Sequence, residues 1–200
     1  MNLQLIKIFA AIIAGSLVMI LHELPKSFLF IKLSTNKETR NQHNIFKVFN
    51  YVDPVGILLC ITNQAGFSKP YMYRIKDKRT NFLLGITGFI TLFFIFILSI
   101  LLLKYQIGMN SSFTYSVTSS FLEILYQCII LYTALISLSM FFINLFPVSV
   151  FDMGLMIAGK SPRAYFSIIR FDYIIKIILL FTILLQLISY FSTNIISLIL

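Results

Sequence analysis

The chain has 200 residues, of which 58% are hydrophobic, 21 are Phe and only 12% are charged, with a formal net charge of +9. That is too little polar surface for a soluble globule of this size, and it predicts an all-α integral membrane protein. In such a chain Lys and Arg report orientation and contact with anionic lipid headgroups; with no soluble basic domain to carry it, nucleic acid is excluded as a partner.

The first apolar run, Leu3 to Leu24, is about long enough to cross a hydrocarbon core of roughly 30 Å at about 1.5 Å per residue. Lys7 followed by an apolar stretch with Ala14-Gly15-Ser16 has some features of a secretory leader. The apolar sequence continues past any such cleavage point, so a retained transmembrane helix is expected. Pro25 to Asn50 is a basic, membrane-proximal segment, helical in part through Ile31. His43 lies there among Asn41, Gln42 and Asn44, a polar setting that suits a solvated loop. Tyr51 to Phe67 is apolar only from Val55 to Ile61 and is broken by Asp53-Pro54 before and by Asn63, Gln64 and Gly66 after. It is too short to span, which predicts a re-entrant, half-depth segment shielded by other helices.

After a second basic loop, Ser68 to Asn81, the run Phe82 to Leu103 is the clearest transmembrane helix. Phe121 to Phe146 crosses back, Pro147 to Asp172 forms a third basic loop, and Tyr173 to Leu200 makes a last apolar pass. All 16 Lys and Arg except Lys7, Lys104 and Lys176 fall in the three basic loops, which the alternation puts on one face. The expected architecture is therefore a single polytopic transmembrane domain, 1–200, of about four transmembrane helices plus one re-entrant segment. By the positive-inside rule the basic loops face the cytoplasm. Cys60 and Cys128, far apart in apolar surroundings, read as buried small hydrophobes.

Chemistry concentrates at His22-Glu23-Leu24-Pro25-Lys26, where the first apolar run ends. A zinc-protease H-E-x-x-H helix needs imidazoles one turn apart and a glutamate beside them as general base. Here the first His and the Glu are present, and Lys26 stands at the position of the second His. A protonated ammonium has no lone pair and cannot ligate zinc. Pro25 also disfavours helical geometry at Leu24 and removes a backbone donor. Two roles for Lys26 follow from a helical segment. Its ammonium, three residues after Glu23, can take the place a metal would hold and balance buried carboxylates, or it can simply snorkel to the interface.

Further along, Asn144-Leu145-Phe146-Pro147 runs into Asp152-Met153-Gly154, a spacing that resembles the N-x-x-P-x-x-x-x-D-G element of the site-2 protease family, the M50-type intramembrane zinc metalloproteases. Two intermediate stretches are similar to elements of its compact bacterial branch. Asp53-Pro54-Val55-Gly56 resembles D-P-x-G, and Gly66-Phe67-Ser68-Lys69-Pro70 resembles a shortened G-F-x-x-x-K-P. The resemblance covers roughly residues 20 to 155. It implies a site-2-protease-like core in a bacterial cytoplasmic membrane, with His22 and Asp152 as zinc ligands, Glu23 as catalytic base and zinc as cofactor. The departures fall on the metal site: Lys26 replaces a ligand, and Met153 replaces the glycine after the aspartate, with Gly154 displaced by one position. Three protein ligands become two, where catalytic zinc sites keep three.

These residues lead first to a non-catalytic homologue, a pseudoprotease without zinc, that binds or regulates transmembrane segments of partner proteins as well as lipid. The alternative is an active intramembrane metalloendopeptidase with an unusual third ligand. A structural subunit or small permease-like protein is the remaining class. No G-x-S-G and no paired G-x-G-D is present, which leaves serine and aspartyl intramembrane chemistries without support.

Overall fold

The computed structural model describes residues 3–33, 47–69, 77–109 and 121–200. Their regular structure is entirely helical. In order these are α1 (Leu3–Leu33), a 3-10 turn (Val48–Tyr51), α2 (Pro54–Asn63), α3 (Lys78–Met109), α4 (Phe121–Asn144), α5 (Asp152–Lys160), α6 (Pro162–Leu184) and α7 (Leu187–Ile199). Three helices, α1, α3 and α4, are long and apolar enough to cross a membrane; α6 and α7 make a fourth span if taken together, bent by 54° at their junction. His43 and Pro70 lie outside the described residues.

α1 is inside out by the standards of a soluble helix. Its buried positions run Ile6, Ala10, Ala11, Ala14, Gly15, Val18, Met19, His22, Glu23, Lys26, Ser27 and Phe30, a stripe that recurs every three to four residues. Small residues and then ionisable ones occupy the inward stripe, while Phe9, Ile13, Leu17, Leu21 and Phe28 are exposed. Bulky apolar groups facing outward suit a surround of lipid, and small inward residues let neighbouring helices approach closely. The helix runs through Pro25, despite the proline's effect on Leu24, and continues two more turns to Leu33, in line with the helical stretch expected through Ile31. Pro25 leaves the Leu21 carbonyl without its helical partner, a loss tolerated in membrane helices where neighbours hold the segment in place. His22 consequently sits eleven residues inside the helix, about 16 Å from its end, and not at its terminus.

α1, α3 and α4 pack on one another around Ala14, Val18, Met19, Leu92, Ile95, Ile136 and Met140, with Cys60 of α2 in the same cluster. α2 has ten residues, about 15 Å of helix, and cannot span. Asp53 accepts from the amides of Val55 (2.8 Å) and Gly56 (3.0 Å), and Pro54 occupies the first turn, where a missing N–H costs nothing. The far end of α2 is closed by a reciprocal pairing with the last helices. The Asn63 side chain donates to the Ile183 carbonyl at 3.0 Å, and Ser189 Oγ donates to the Asn63 carbonyl. Gln64 and Gln186 both take left-handed backbone angles at these two helix ends. The last apolar pass, expected as one helix from Tyr173 to Leu200, is therefore two helices interrupted at Leu185-Gln186 and pinned to α2.

The segment expected as a loop from Pro147 to Asp172 contains α5 and the start of α6. α5 lies antiparallel on α3 at very short range. A Cβ on Gly159 would meet the backbone of Lys78 and Phe82, one on Gly85 would meet Asp152 and Met156, and one on Gly88 would fall onto the Asp152 carboxylate. Gly88→Ala tests this seating. In an ordinary helix Gly→Ala stabilises by roughly 1 kcal/mol, whereas overpacking costs roughly 1–3 kcal/mol. We expect the thermal midpoint of the purified protein to fall by several degrees, with little change for Ile90→Ala on the exposed face of α3. A midpoint equal to or above the parent's would refute the close seating of α5 on α3.

Candidate functional site

Three separate parts of the chain meet at one buried point. α1 contributes His22, Glu23 and Lys26 from its inward stripe; α5 contributes Asp152 from its first turn; the extended segment after α2 contributes Ser68. His22, Glu23, Lys26 and Asp152 are each 2% exposed or less, and Ser68 is 5% exposed.

Two supports bring Asp152 there. The Asn144 side chain, at the end of α4, donates to the Met140 carbonyl (2.9 Å) and accepts from the Asp152 amide (3.4 Å), joining the end of one helix to the start of the next. Between them the chain folds back tightly around Pro147, and a Cβ on Gly154 would overlap the Val148 carbonyl. Only a glycine lets residues 145–151 cross the first turn of α5 this closely. A similar crossing positions Ser68. A Cβ on Gly56 would run into the Phe67 carbonyl, and the Lys69 amide bonds the Tyr51 carbonyl at 3.1 Å. Asp53, Pro54 and Gly56 thus act as scaffold: the first two start α2 and the third makes room for the segment bearing Ser68.

The Lys26 ammonium lies 2.6 Å from Glu23 Oε1 and 2.9 Å from Asp152 Oδ1. It does not snorkel. His22 Nε2 lies 2.8 Å from Asp152 Oδ2, so Asp152 receives the ammonium on one oxygen and the imidazole on the other. On its other side, His22 Nδ1 is 2.9 Å from Ser68 Oγ and 3.2 Å from Glu23 Oε1, while Ser68 Oγ donates to Glu23 Oε1 at 2.7 Å. A serine hydroxyl has one proton to give. With that hydrogen bond given to Glu23 and two ionised carboxylates able only to accept, both ring nitrogens of His22 are donors. The cluster then holds two positive and two negative charges and is neutral as a whole. Neutrality matters at this depth, because an uncompensated charge in an apolar interior is strongly unfavourable.

Zinc fits this donor set poorly. His22 already holds Asp152, and an ammonium lies between the Glu23 and Asp152 carboxylates. Glu23, the candidate base, is engaged by Lys26, Ser68 and His22. Ser68 is the site residue that sequence reasoning passes over, although it lies within a stretch recognised for other reasons. No protein-family model, no characterised protein and no solved structure matches this chain.

Lys26→Met removes the ammonium while keeping the side-chain length. It leaves two carboxylates facing one imidazole, and breaking a buried ion pair from one side costs roughly 3–5 kcal/mol. We expect a large drop in the unfolding midpoint. Lys26→Met combined with Asp152→Asn restores neutrality, so the double variant should be more stable than Lys26→Met alone. Additive losses in this cycle would show that charge balance is not what holds the cluster.

Proposed function

We propose that this chain is a site-2-protease-like membrane protein in which an internal ammonium stands where the family's zinc would, and that it binds transmembrane segments of other proteins without cutting them. The observation that carries the reading is the Lys26 ammonium, buried and bonded to both Glu23 and Asp152. Hydrolysis in such a site requires a base free to take a proton from water, and Glu23 has all its neighbours committed to holding it in place. The family reading is supported by His22, Glu23 and Asp152, which meet at one point, and by Gly56, which makes room for the segment that brings Ser68 to it. Binding without cleavage agrees with the many exposed apolar side chains along α3 and α6, among them Ile90, Phe93, Phe94, Ile174 and Phe181. Those surfaces offer broad lateral contact to lipid or to a partner helix.

Metal content of the purified protein tests the proposal. We expect the natural chain to carry no zinc. Lys26→His, which gives three ligand side chains with His22 and Asp152, should take up about one zinc per chain and lose it again when Asp152→Ala is added. About one zinc in the natural chain, abolished by His22→Ala and by Asp152→Ala, would overturn the proposal and favour a metallopeptidase with a substitute third ligand.

A further inference from the structure

Away from the buried cluster, the antiparallel seating of α5 on α3 leaves a groove of about 680 Å³ between the first turn of α3 and the outer side of α5. That is within the range of small-molecule sites, about 300–1,000 Å³. The two ends of the groove differ in chemistry. Lys78 and Arg79 open α3, and Lys160 closes α5; all three side chains are exposed. Because the helices are antiparallel, with Gly159 against Lys78 and Phe82, the three cations come together at one end. The rest of the wall is apolar: Phe82, Met153, Met156 and Ile157. Phe82 lies four residues, about 6 Å, deeper along α3 than Lys78, and Met153 lies seven residues, about 10 Å, deeper along α5 than Lys160.

Among the described residues no carboxylate lines this groove. The nearest in sequence, Asp77, is turned onto its own helix start, where it accepts from Thr80 Oγ1 (3.1 Å) and the Thr80 amide (3.4 Å). Asp152 is held on the opposite side by His22 and Lys26. The neighbouring Met153, which stands where the related motif has glycine, faces the groove. Lys78 also begins the span Lys78–Ile107, so the cationic end lies at an end of the apolar run and the methionines lie beside its apolar residues.

We infer that this groove is a binding site for a membrane phospholipid with an anionic headgroup. Lys78, Arg79 and Lys160 hold the phosphate, Arg79 through the forked geometry that suits phosphate oxygens. The upper part of one acyl chain lies along Phe82, Met153, Met156 and Ile157, and the flexible thioether side chains adapt to it. A free phosphate uses only the charged end, and a zwitterionic lipid brings, next to its phosphate, a quaternary ammonium that the three cations repel. The site therefore selects for both features in one molecule, and it does so whether or not the buried cluster has the role proposed above.

The test uses the full chain, stripped of lipid in mild detergent and titrated with phosphatidylglycerol or with phosphatidylcholine of the same acyl chains, binding being read by native mass spectrometry. We expect phosphatidylglycerol to bind about tenfold more tightly, and Lys78→Gln, Arg79→Gln and Lys160→Gln together to reduce the preference to about twofold or less. Removing equal charge elsewhere, with Lys32→Gln, Lys47→Gln and Lys69→Gln, should leave the preference intact. Met153→Gln with Met156→Gln should weaken binding of both lipids, and soluble glycerophosphate should not displace bound phosphatidylglycerol. Equal loss of preference in the two charge-removal variants would overturn the proposal in favour of a diffuse surface potential. Displacement by glycerophosphate would overturn the part assigned to the acyl chain.

Discussion

Two carboxylates enclosed by apolar helices impose the condition that the rest of this fold satisfies. Glu23 and Asp152 belong to helices more than a hundred residues apart in sequence, and each needs a cation and hydrogen-bond donors without help from water. Lys26 and His22 provide the cations from one stripe of α1, and Ser68 joins one side of the cluster from a different segment. Because every member touches at least two others, none can be moved alone. The cluster ties the depth of α1, the path of the chain after α2 and the start of α5 to a single arrangement, which is the use of a buried ionic group with the firmest physical basis.

Close backbone approach makes that arrangement possible. Gly56 admits the segment that carries Ser68, Gly154 admits the turn leading into α5, and Gly85 and Gly88 allow α5 to rest on α3 with the Asp152 carboxylate between them. In a membrane there is little hydrophobic gain from bringing helices together, so surface fit and polar contacts carry the association. Small residues at the crossings and one fully paired polar cluster are the two means this chain uses. The outward faces, dense in Phe, Leu and Ile, are left to lipid or to other helices.

Much of this was readable in the residues. Helical periodicity puts His22, Glu23 and Lys26 on the face that already carries Ala10, Ala14 and Val18, and the spacing from Asn144 to Asp152 marked the second half of the cluster. Ser68 was not readable as a site residue, since a single hydroxyl in an extended segment has no periodicity or charge to signal its role. Pro25 disfavours helical geometry at Leu24, a local effect that packing around α1 overrides here, so the helix is continuous into the stretch read as helical through Ile31. The break at Gln186 lacks the glycine or proline that usually announces one, and its cause lies in α2, whose end supplies the partner for the Ile183 carbonyl. Charge in the third basic loop concealed α5, a nine-residue helix with an apolar inner face of Leu155 and Ala158.

The spacing of Lys26 and Glu23 also bears on how the chain is made. α1 is synthesised long before Asp152, and during that interval its inward stripe carries three ionisable groups with no partner from another helix. At positions i and i+3 on one helix, the ammonium and the Glu23 carboxylate neutralise each other without waiting for any other segment. A lone charge at such a depth would oppose transfer of the helix from the translocation machinery into lipid. By carrying its own counter-ion, the nascent helix can enter the bilayer first and recruit the remaining half of its charge partners when the fifth helix arrives.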